Sequence, residues 1–421
     1  MNVADSERLG AALDQLGCQA TDAIDQADIV VLNSCVVRQG AEDKVAGRLH
    51  SLRHGKESRP DSILALMGCM VGPDTSELRR RFPHVDCFLR PQEFGELVRL
   101  VEAREGVCID AAMPLVPAAP SVATFVPIIH GCDKFCTFCI IPYRRGRERS
   151  RPVAEVVREV AMLAQRGVKE VTLLGQNVDS YGHDLTGGPD LADLLTACNE
   201  VQGIQRLRFL TSHPNDMSQR IIDAVASLDK VCEFINLPVQ AGDNDVLANM
   251  RRGYSREEYL ELVHRIRTAM PGVGLTTDVI VGFPGETPEQ FEQTIDLVRR
   301  VRFDKVHIAM YSPRPGTIAW RKQPDDVSHA EKKRRYRALE DIQQAISQEI
   351  NQTLLGVTVD VLIEGRQDKR WQGRTRSNKL VHLEGDRYFG ETVTAHITGT
   401  TAWSLQGKAI KPAKTMLAIA G

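Results

Sequence analysis

The sequence predicts a multidomain α/β protein whose largest part is a partial barrel of six strand-and-helix units. Three observations predict this fold class. Six apolar β-type runs alternate with helical patterns between about residues 124 and 350. Short alternating runs without a long helix follow residue 352, which is typical of a small all-β barrel. The first hundred residues alternate between strand and helix patterns, which predicts a separate parallel sheet.

The chain of 421 residues is long enough for about three domains. We predict an N-terminal α/β domain at 1–105, a linker at 106–122, the core at 123–350 and the C-terminal barrel at 352–418. The linker prediction depends on three prolines among small residues, Pro114, Pro117 and Pro120.

The expected elements of each domain follow from the same patterns. In the N-terminal domain they are helices at 5–16 and 41–52 and strands at 27–35 and 62–68. The expected core strands are 125–129, 171–174, 207–210, 234–239, 275–281 and 305–310. The expected core helices are 153–165, 191–199, 219–228, 256–267, 289–301 and 330–350. The expected C-terminal strands are 358–363, 381–384 and 392–398.

Charge and hydropathy restrict the function classes. The chain has 53 basic and 55 acidic residues, a net charge of −2, so nucleic-acid binding would have to depend on local patches. No apolar run approaches the roughly 20 residues that span a bilayer, and the first residues lack the pattern of an export signal. We therefore expect a cytoplasmic protein that does not enter a membrane and keeps its cysteines reduced.

Three cysteines, Cys132, Cys136 and Cys139, fall within eight residues. They follow the first expected core strand, at the end of the barrel where catalytic groups usually lie. Thiolates in one short loop can bind an iron–sulfur cluster, and three ligands would leave one iron open to a small molecule. The alternative is a zinc ion with a distant Cys or His as its fourth ligand.

The segment 131–139, GCDKFCTFC, resembles the CxxxCxxC signature of radical S-adenosylmethionine proteins, and 279–286, VIVGFPGE, resembles their glycine-rich segment. The resemblance implies a partial (β/α)6, TIM-like barrel. It also implies that Cys132, Cys136 and Cys139 are catalytic ligands of a 4Fe-4S cluster that binds and cleaves S-adenosylmethionine. The candidate cofactor contacts are Gln240, Asp278, Gly282 and Glu286, although a Glu after a strand is commonly a helix cap.

Within that superfamily the chain is similar, nearly end to end, to the methylthiotransferases, which add an N-terminal cluster domain and a C-terminal TRAM domain. Cys35 in NSCVVR and Cys69 in MGCM match the second and third ligands of their auxiliary 4Fe-4S cluster. The first ligand would lie two positions before Met1, so it is absent from this chain, and we expect Cys18 to pack in the core instead. We predict that the coding sequence begins upstream or that this copy does not assemble the auxiliary cluster.

The segments 145–152, 174–182 and 311–317 resemble the branch that acts on isopentenyl-adenosine in tRNA. Departures from its pattern are Asp179, where Asn is usual, and Asn236, where His is common. This resemblance implies methylthiolation of the adenosine beside the anticodon, with two molecules of S-adenosylmethionine and sulfur from the auxiliary cluster.

The implied partners are the anticodon stem-loop of tRNA and an electron donor such as a flavodoxin or ferredoxin, with the chain itself a monomer. Two alternatives stay open: methylthiolation of a ribosomal-protein aspartate, and non-catalytic tRNA binding after loss of the auxiliary cluster.

Two basic segments, 142–152 and 365–379, are predicted to contact RNA phosphates, and an aromatic residue in the second could stack on a base. The candidate RNA contacts are Arg145, Arg147, Arg149, Arg366, Lys369, Arg370, Trp371, Arg374 and Arg376. A third basic group, at 332–337 on the last core helix, is open between RNA binding and an ordinary solvated face.

Overall fold

The computed structural model describes residues 1–34, 39–108, 114–385 and 388–410. The chain forms an N-terminal sheet with helices, a central partial barrel and a C-terminal closed barrel. Among the helices so described, none is long and apolar enough to cross a membrane.

The N-terminal unit is a parallel three-stranded sheet in the order β1-β2-β3. Its strands are β1 (Ile29–Ser34), β2 (Ile63–Gly68) and β3 (Cys87–Leu89). Its helices are α1 (Asn2–Gln15), α2 (Gln39–Ser58), α3 (Ser76–Arg81) and α4 (Gly95–Glu105). The expected helices and the first two strands are confirmed within the described residues. The sequence did not predict β3, α3 or α4, because β3 and α3 are short and α4 carries a weak apolar pattern.

The central unit contains six parallel strands and a two-stranded antiparallel sheet. In chain order its strands are β4 (Ala123–Pro127), β5 (Ile129–His130), β6 (Arg149–Ser150), β7 (Glu170–Leu174), β8 (Arg206–Leu210), β9 (Phe234–Asn236), β10 (Gly274–Val281) and β11 (Lys305–Met310). Its helices are α5 (Ile141–Arg145), α6 (Val153–Gln165), α7 (Leu191–Asn199), α8 (Gln219–Ser227), α9 (Asn244–Asn249), α10 (Arg256–Ala269), α11 (Pro288–Val301), α12 (Ile318–Lys322) and α13 (His329–Gln352).

The six parallel strands follow one another around the partial barrel in sequence order. Strands β4-β7-β8 and β9-β10-β11 pair in parallel, and Leu207 of β8 bridges in parallel to Val231, just before β9. Helices on the outside begin at side-chain caps such as Ser255 and Thr287, whose capping boxes fix where each helix starts. The predicted partial barrel of six units is confirmed.

The C-terminal unit is a closed five-stranded barrel in the order β12-β13-β14-β16-β15. Its strands are β12 (Thr358–Gln367), β13 (Arg370–Arg374), β14 (Leu380–Glu384), β15 (Thr392–Thr400) and β16 (Leu405–Ala409). The predicted small all-β barrel is confirmed. Strands β13 and β16 were not predicted, and the expected end at 418 lies outside the described residues.

The C-terminal barrel packs against the amino-terminal end of the core strands. Arg206 Nη1 donates to the carbonyl of Arg374 at 2.6 Å, and Arg208 Nη2 donates to the carbonyl of Thr375 at 2.6 Å. Both arginines are buried on β8, and Arg208 also pairs with Glu170 at 2.7 Å. The opposite, carboxyl-terminal end of the core strands carries the cysteine loop.

Candidate metal and cofactor site

The cysteine loop, residues 131–140, lies between β5 and α5. Gly131 begins it with a φ of 71°, and a Cβ at this position would lie 2.0 Å from the carbonyl oxygen of Arg147. Only glycine fits a backbone approach this close. The Cys139 amide donates to the Cys136 carbonyl at 3.0 Å, and the Cys132 amide donates to the Gly146 carbonyl at 3.1 Å. The loop is therefore a turn fixed by its own backbone hydrogen bonds, and it carries all three cysteines.

Two of the three thiols lie where burial disfavours the free thiolate. Burial raises the pKa of the Cys132 thiol to about 11 and that of Cys139 to about 12. Cys136 is buried, and its sulfur accepts a hydrogen bond from Arg252 Nη1 at 3.3 Å. Binding of metal would stabilise the thiolates in this setting. Three sulfur donors in one loop fit a 4Fe-4S cluster that keeps one iron free of protein.

Polar residues after β7 and β8 hold the cysteine loop from one side. Lys134 Nζ lies 2.6 Å from an Asp216 carboxylate oxygen, and Asn177 Nδ2 donates to Asp216 at 2.6 Å. Asn177 follows β7 and Asp216 follows β8. Polar groups beyond the ends of β7 and β8 thus contact the loop at Lys134.

A second polar cluster lies behind these contacts. The Asp179 carboxylate accepts hydrogen bonds from Ser212 Oγ and the His213 amide, both at 3.0 Å. Burial raises the pKa of Asp179 to about 8 and lowers the pKa of His213 to about 2. Within the described part of the chain, His213 Nε2 is buried without a hydrogen-bond partner. Both shifts favour the neutral form of the group at pH 7.

A cavity of about 310 Å³ opens beside Cys139. Gln240 and Asp278 line it, together with apolar side chains from α5, β10 and β11. Asp278 accepts a hydrogen bond from Asn236 Nδ2 at 3.2 Å, and burial raises the pKa of Asp278. Two of the four candidate cofactor contacts therefore lie next to the cysteine loop, and their role as contacts stays a prediction.

The other two candidates, Gly282 and Glu286, lie outside this cavity. The Gly282 amide donates to Glu286 Oε2 at 2.6 Å, and the same oxygen pairs with Arg335 Nη1 at 2.7 Å. The Glu286 and Arg335 side chains are both buried, so the Glu286 carboxylate binds groups of the protein itself. The role of Gly282 and Glu286 as cofactor contacts stays a prediction, and Gln240 and Asp278 are the two candidates that line the cavity beside Cys139.

His307 was missed from the sequence. It pairs with Asp278 across β10 and β11, and it lines the cavity beside Cys139. The available signal was a polar residue in the middle of each of two apolar strands, TTDVIV and KVHIAM. Whether two such residues on neighbouring parallel strands lie side by side can be predicted only when the register of the strands is known.

The N-terminal domain brings part of the expected auxiliary site together. Ser34 ends β1 opposite Gly68 at the end of β2, and a Cβ on Gly68 would lie 2.4 Å from the Ser34 carbonyl oxygen. Asn2 Nδ2 donates to the same carbonyl at 2.7 Å. Cys69 is buried here, whereas Cys35 lies outside the described residues. The auxiliary cluster itself stays a prediction. Cys18 packs against the apolar N-terminal core, as predicted.

Two predicted RNA contacts are instead buried or engaged between domains. Arg145 Nη2 pairs with Asp5 at 3.0 Å, and its side chain is 3% exposed. Arg376 makes two hydrogen bonds to the Glu233 carboxylate, at 2.7 and 2.8 Å. Sequence reasoning failed here because an arginine run does not show which guanidinium meets a distant carboxylate. We remove both residues from the RNA-binding set.

The remaining RNA candidates lie at the surface to differing degrees. Arg147, Arg149, Arg366, Lys369 and Arg370 are exposed. Trp371 is half-buried, with the Arg366 guanidinium 5.3 Å from its ring centre, and Arg374 lies 3.6 Å from Glu364. In the third basic group, the buried members are Lys332 and Arg335 and the exposed ones are Lys333, Arg334 and Arg337.

The partial barrel and its CxxxCxxC loop define a radical S-adenosylmethionine protein. The Radical SAM superfamily profile matches residues 126–298, the Uncharacterized protein family UPF0004 profile matches 1–90, and the TRAM domain profile matches 352–410. Among solved structures, the radical S-adenosylmethionine methyltransferase TsrM from Kitasatospora setae is similar with a TM-score of 0.54 and 15% identity, over 85% of this chain and 70% of that one. At 15% identity, the similarity to TsrM shows the fold alone.

Curated relatives extend the match over almost the whole chain. Proteins named "tRNA-2-methylthio-N(6)-dimethylallyladenosine synthase" are 50% identical in Dehalococcoides mccartyi and 47% identical in Herpetosiphon aurantiacus. The alignments cover 98% and 97% of this chain and 96% and 95% of the relatives. The chain belongs to the tRNA-2-methylthio-N(6)-dimethylallyladenosine synthase family. It therefore uses a 4Fe-4S cluster and S-adenosylmethionine.

Proposed function

We propose that this protein is a tRNA methylthiotransferase that adds a 2-methylthio group to N6-isopentenyl-adenosine next to the anticodon. The observation that carries the proposal is the three-thiol loop beside a cavity of about 310 Å³ in a chain 50% identical to a synthase of this name.

Cys132, Cys136 and Cys139 would hold the core cluster, and Cys35 and Cys69 would contribute to the auxiliary one. When bound, the core cluster and S-adenosylmethionine supply the radical chemistry at adenine C2, while the auxiliary cluster and a second S-adenosylmethionine supply sulfur and methyl. The chain's own residues bind, orient and shield these groups.

The cavity beside Cys139 orients a ligand through a few polar groups in an apolar wall. Its apolar residues include Ile141, Val279 and Ile308, which exclude water from the reacting atoms. Asn236 holds one oxygen of the Asp278 carboxylate, leaving acceptor capacity for an N–H of the bound ligand. Gln240 can donate and accept from the same wall.

A second cavity, of about 600 Å³, lies between the core and the C-terminal barrel. Arg374, Lys379 and Trp403 line it on the side of the C-terminal barrel. His307 lines both this cavity and the one beside Cys139. Arg374 and Lys379 at this cavity would contact the phosphates of a bound nucleotide.

The expectations of a cytoplasmic monomer and of a flavodoxin or ferredoxin as electron donor stay predictions. Assembly of the auxiliary cluster is tested by iron counting after anaerobic reconstitution. About eight irons per chain would indicate both clusters, and about four would indicate the core cluster alone.

Nucleoside mass spectrometry of tRNA from a strain without this gene tests the proposed reaction. We expect the 2-methylthio nucleoside to disappear and its isopentenyl precursor to accumulate, and the intact gene to restore the product. Unchanged tRNA, with a missing methylthio group on a ribosomal-protein aspartate, would favour the alternative substrate.

A further inference from the structure

One buried arginine of this protein, Arg252, differs from the others because it has no carboxylate partner among the described residues. By the exposure of the whole residue, seven arginines are buried among the described residues: Arg151, Arg206, Arg208, Arg252, Arg256, Arg314 and Arg335. Six of them lie within 4.0 Å of a carboxylate oxygen. In the described part of the chain no such ion pair is formed by Arg252. A buried cation without a counter-charge is costly, so its surroundings need an explanation.

The Arg252 guanidinium makes three hydrogen bonds, and each has a different acceptor. Nη2 donates to the Pro238 carbonyl at 2.8 Å, and Nε donates to the Tyr254 hydroxyl at 2.9 Å. Burial raises the pKa of Tyr254, and its hydroxyl donates to the Val239 carbonyl at 2.8 Å, so this acceptor is neutral. The third acceptor is the Cys136 sulfur at 3.3 Å. Of the three, only the sulfur becomes an anion under physiological conditions, when it binds metal.

The backbone around Arg252 is fixed to the cysteine loop. Arg251 has a φ of 56° and Gly253 a φ of 74°, so the segment turns sharply on both sides of Arg252. The Thr137 amide donates to the Met250 carbonyl at 3.0 Å, and Thr137 Oγ1 donates to the Asn249 carbonyl at 2.8 Å. The guanidinium is therefore delivered to Cys136 by a segment that also clamps the loop.

We propose that Arg252 is a positioning residue for the metal centre held by Cys132, Cys136 and Cys139. Its guanidinium balances the negative charge of the Cys136 thiolate, and its hydrogen bond to that sulfur raises the midpoint potential at which the centre accepts an electron. Hydrogen bonds and positive charge near cluster sulfurs act in this direction. The inference rests on the proposed function to the extent that these cysteines hold an iron–sulfur cluster.

The test compares Arg252→Gln and Arg252→Lys with the parent chain after anaerobic reconstitution. Gln keeps a neutral donor and Lys keeps the charge, so the pair separates the two contributions. Arg256→Gln is the matched control, because Arg256 is buried nearby but pairs with Asp296. The measurements are iron per chain, melting temperature and the midpoint potential followed by electron paramagnetic resonance.

We expect a shift to a more negative midpoint potential for Arg252→Gln, an intermediate shift for Arg252→Lys and none for Arg256→Gln. Loss of iron from the Arg252 variants at unchanged melting temperature would also support the assignment. Equal midpoint potentials in all variants at full iron content would overturn the assignment. It would also be overturned if the Arg252 variants lost iron only together with a fall in melting temperature as large as that of Arg256→Gln. A parent chain that binds no iron would instead overturn the proposed function, which separates the two failures.

Discussion

The cysteine loop of the core and the strand-end site of the N-terminal domain bring sulfur beside an arginine in two different ways. We define the strand-end site by Asn2, Ser34, Gly68 and Cys69. In the cysteine loop, local turns shape a backbone that carries three cysteines within eight residues. In the strand-end site, segments more than thirty residues apart meet because β1 and β2 pair in parallel register. The first geometry depends on a loop and the second on the whole sheet.

The two arginines also differ in their counter-charges. Arg145 Nε donates to the Cys69 sulfur at 3.2 Å, but its Nη2 pairs with the buried Asp5 carboxylate. Arg252 donates to Cys136 without a carboxylate partner among the described residues. Arg145 therefore joins the core to the N-terminal domain as half of an ion pair. The positive charge of Arg252, by contrast, can be balanced by the Cys136 sulfur that it contacts.

The largest effect is expected at the cysteine loop, from Cys136→Ala. Removal of one of three ligands should reduce methylthiolation to background and lower the iron content by about four per chain. The fold should persist, because the loop's backbone hydrogen bonds do not involve this thiol. Cys198→Ala is the control: Cys198 is buried in α7, away from both sites, and should keep activity and iron. Full activity of Cys136→Ala would refute the ligand assignment.

The next effect concerns the strand-end site. Arg145→Met leaves Asp5 as an unpaired buried carboxylate and should destabilise the protein by about 3–5 kcal/mol. Arg147→Met, whose parent side chain is 73% exposed, should change stability by less than about 0.5 kcal/mol. Thermal unfolding measures both variants. If Arg145→Met instead kept its melting temperature and weakened tRNA binding with a lower salt dependence, the original assignment of Arg145 to RNA would be restored.

The contrast between local and assembled sites also explains which parts of the structure the sequence could predict. The CxxxCxxC loop and the six-unit barrel follow from local spacing and hydrophobic period. The pairing of Arg145 with Asp5 joins residues 140 positions apart, and Arg376 meets Glu233 across 143 positions. No local pattern encodes such partners. Arg252 was missed for the same reason, since its contact with Cys136 spans 116 positions.

The smallest effect concerns the pH dependence of the core, where Asp179 lies buried while Asp5 of the strand-end site has a cationic partner. Because burial raises the pKa of Asp179 from 3.8 to about 8, the folded protein holds a proton that the unfolded chain has already released across this range. The contribution of Asp179 to stability should therefore fall as pH rises from about 4 to 8. Asp179→Asn removes this dependence.

We expect Asp179→Asn to match the stability of the parent chain near pH 4. Its stability advantage over the parent chain should then grow by about 2–3 kcal/mol between pH 6 and pH 8. His213 contributes equally to both proteins, because its amide contact can be kept by the Asn carbonyl. Melting temperatures between pH 4 and 8 measure the difference. A gap that does not widen with pH would mean that Asp179 is ionised in the folded core. The core would then tolerate an unpaired carboxylate, and its contrast with the paired Asp5 would disappear.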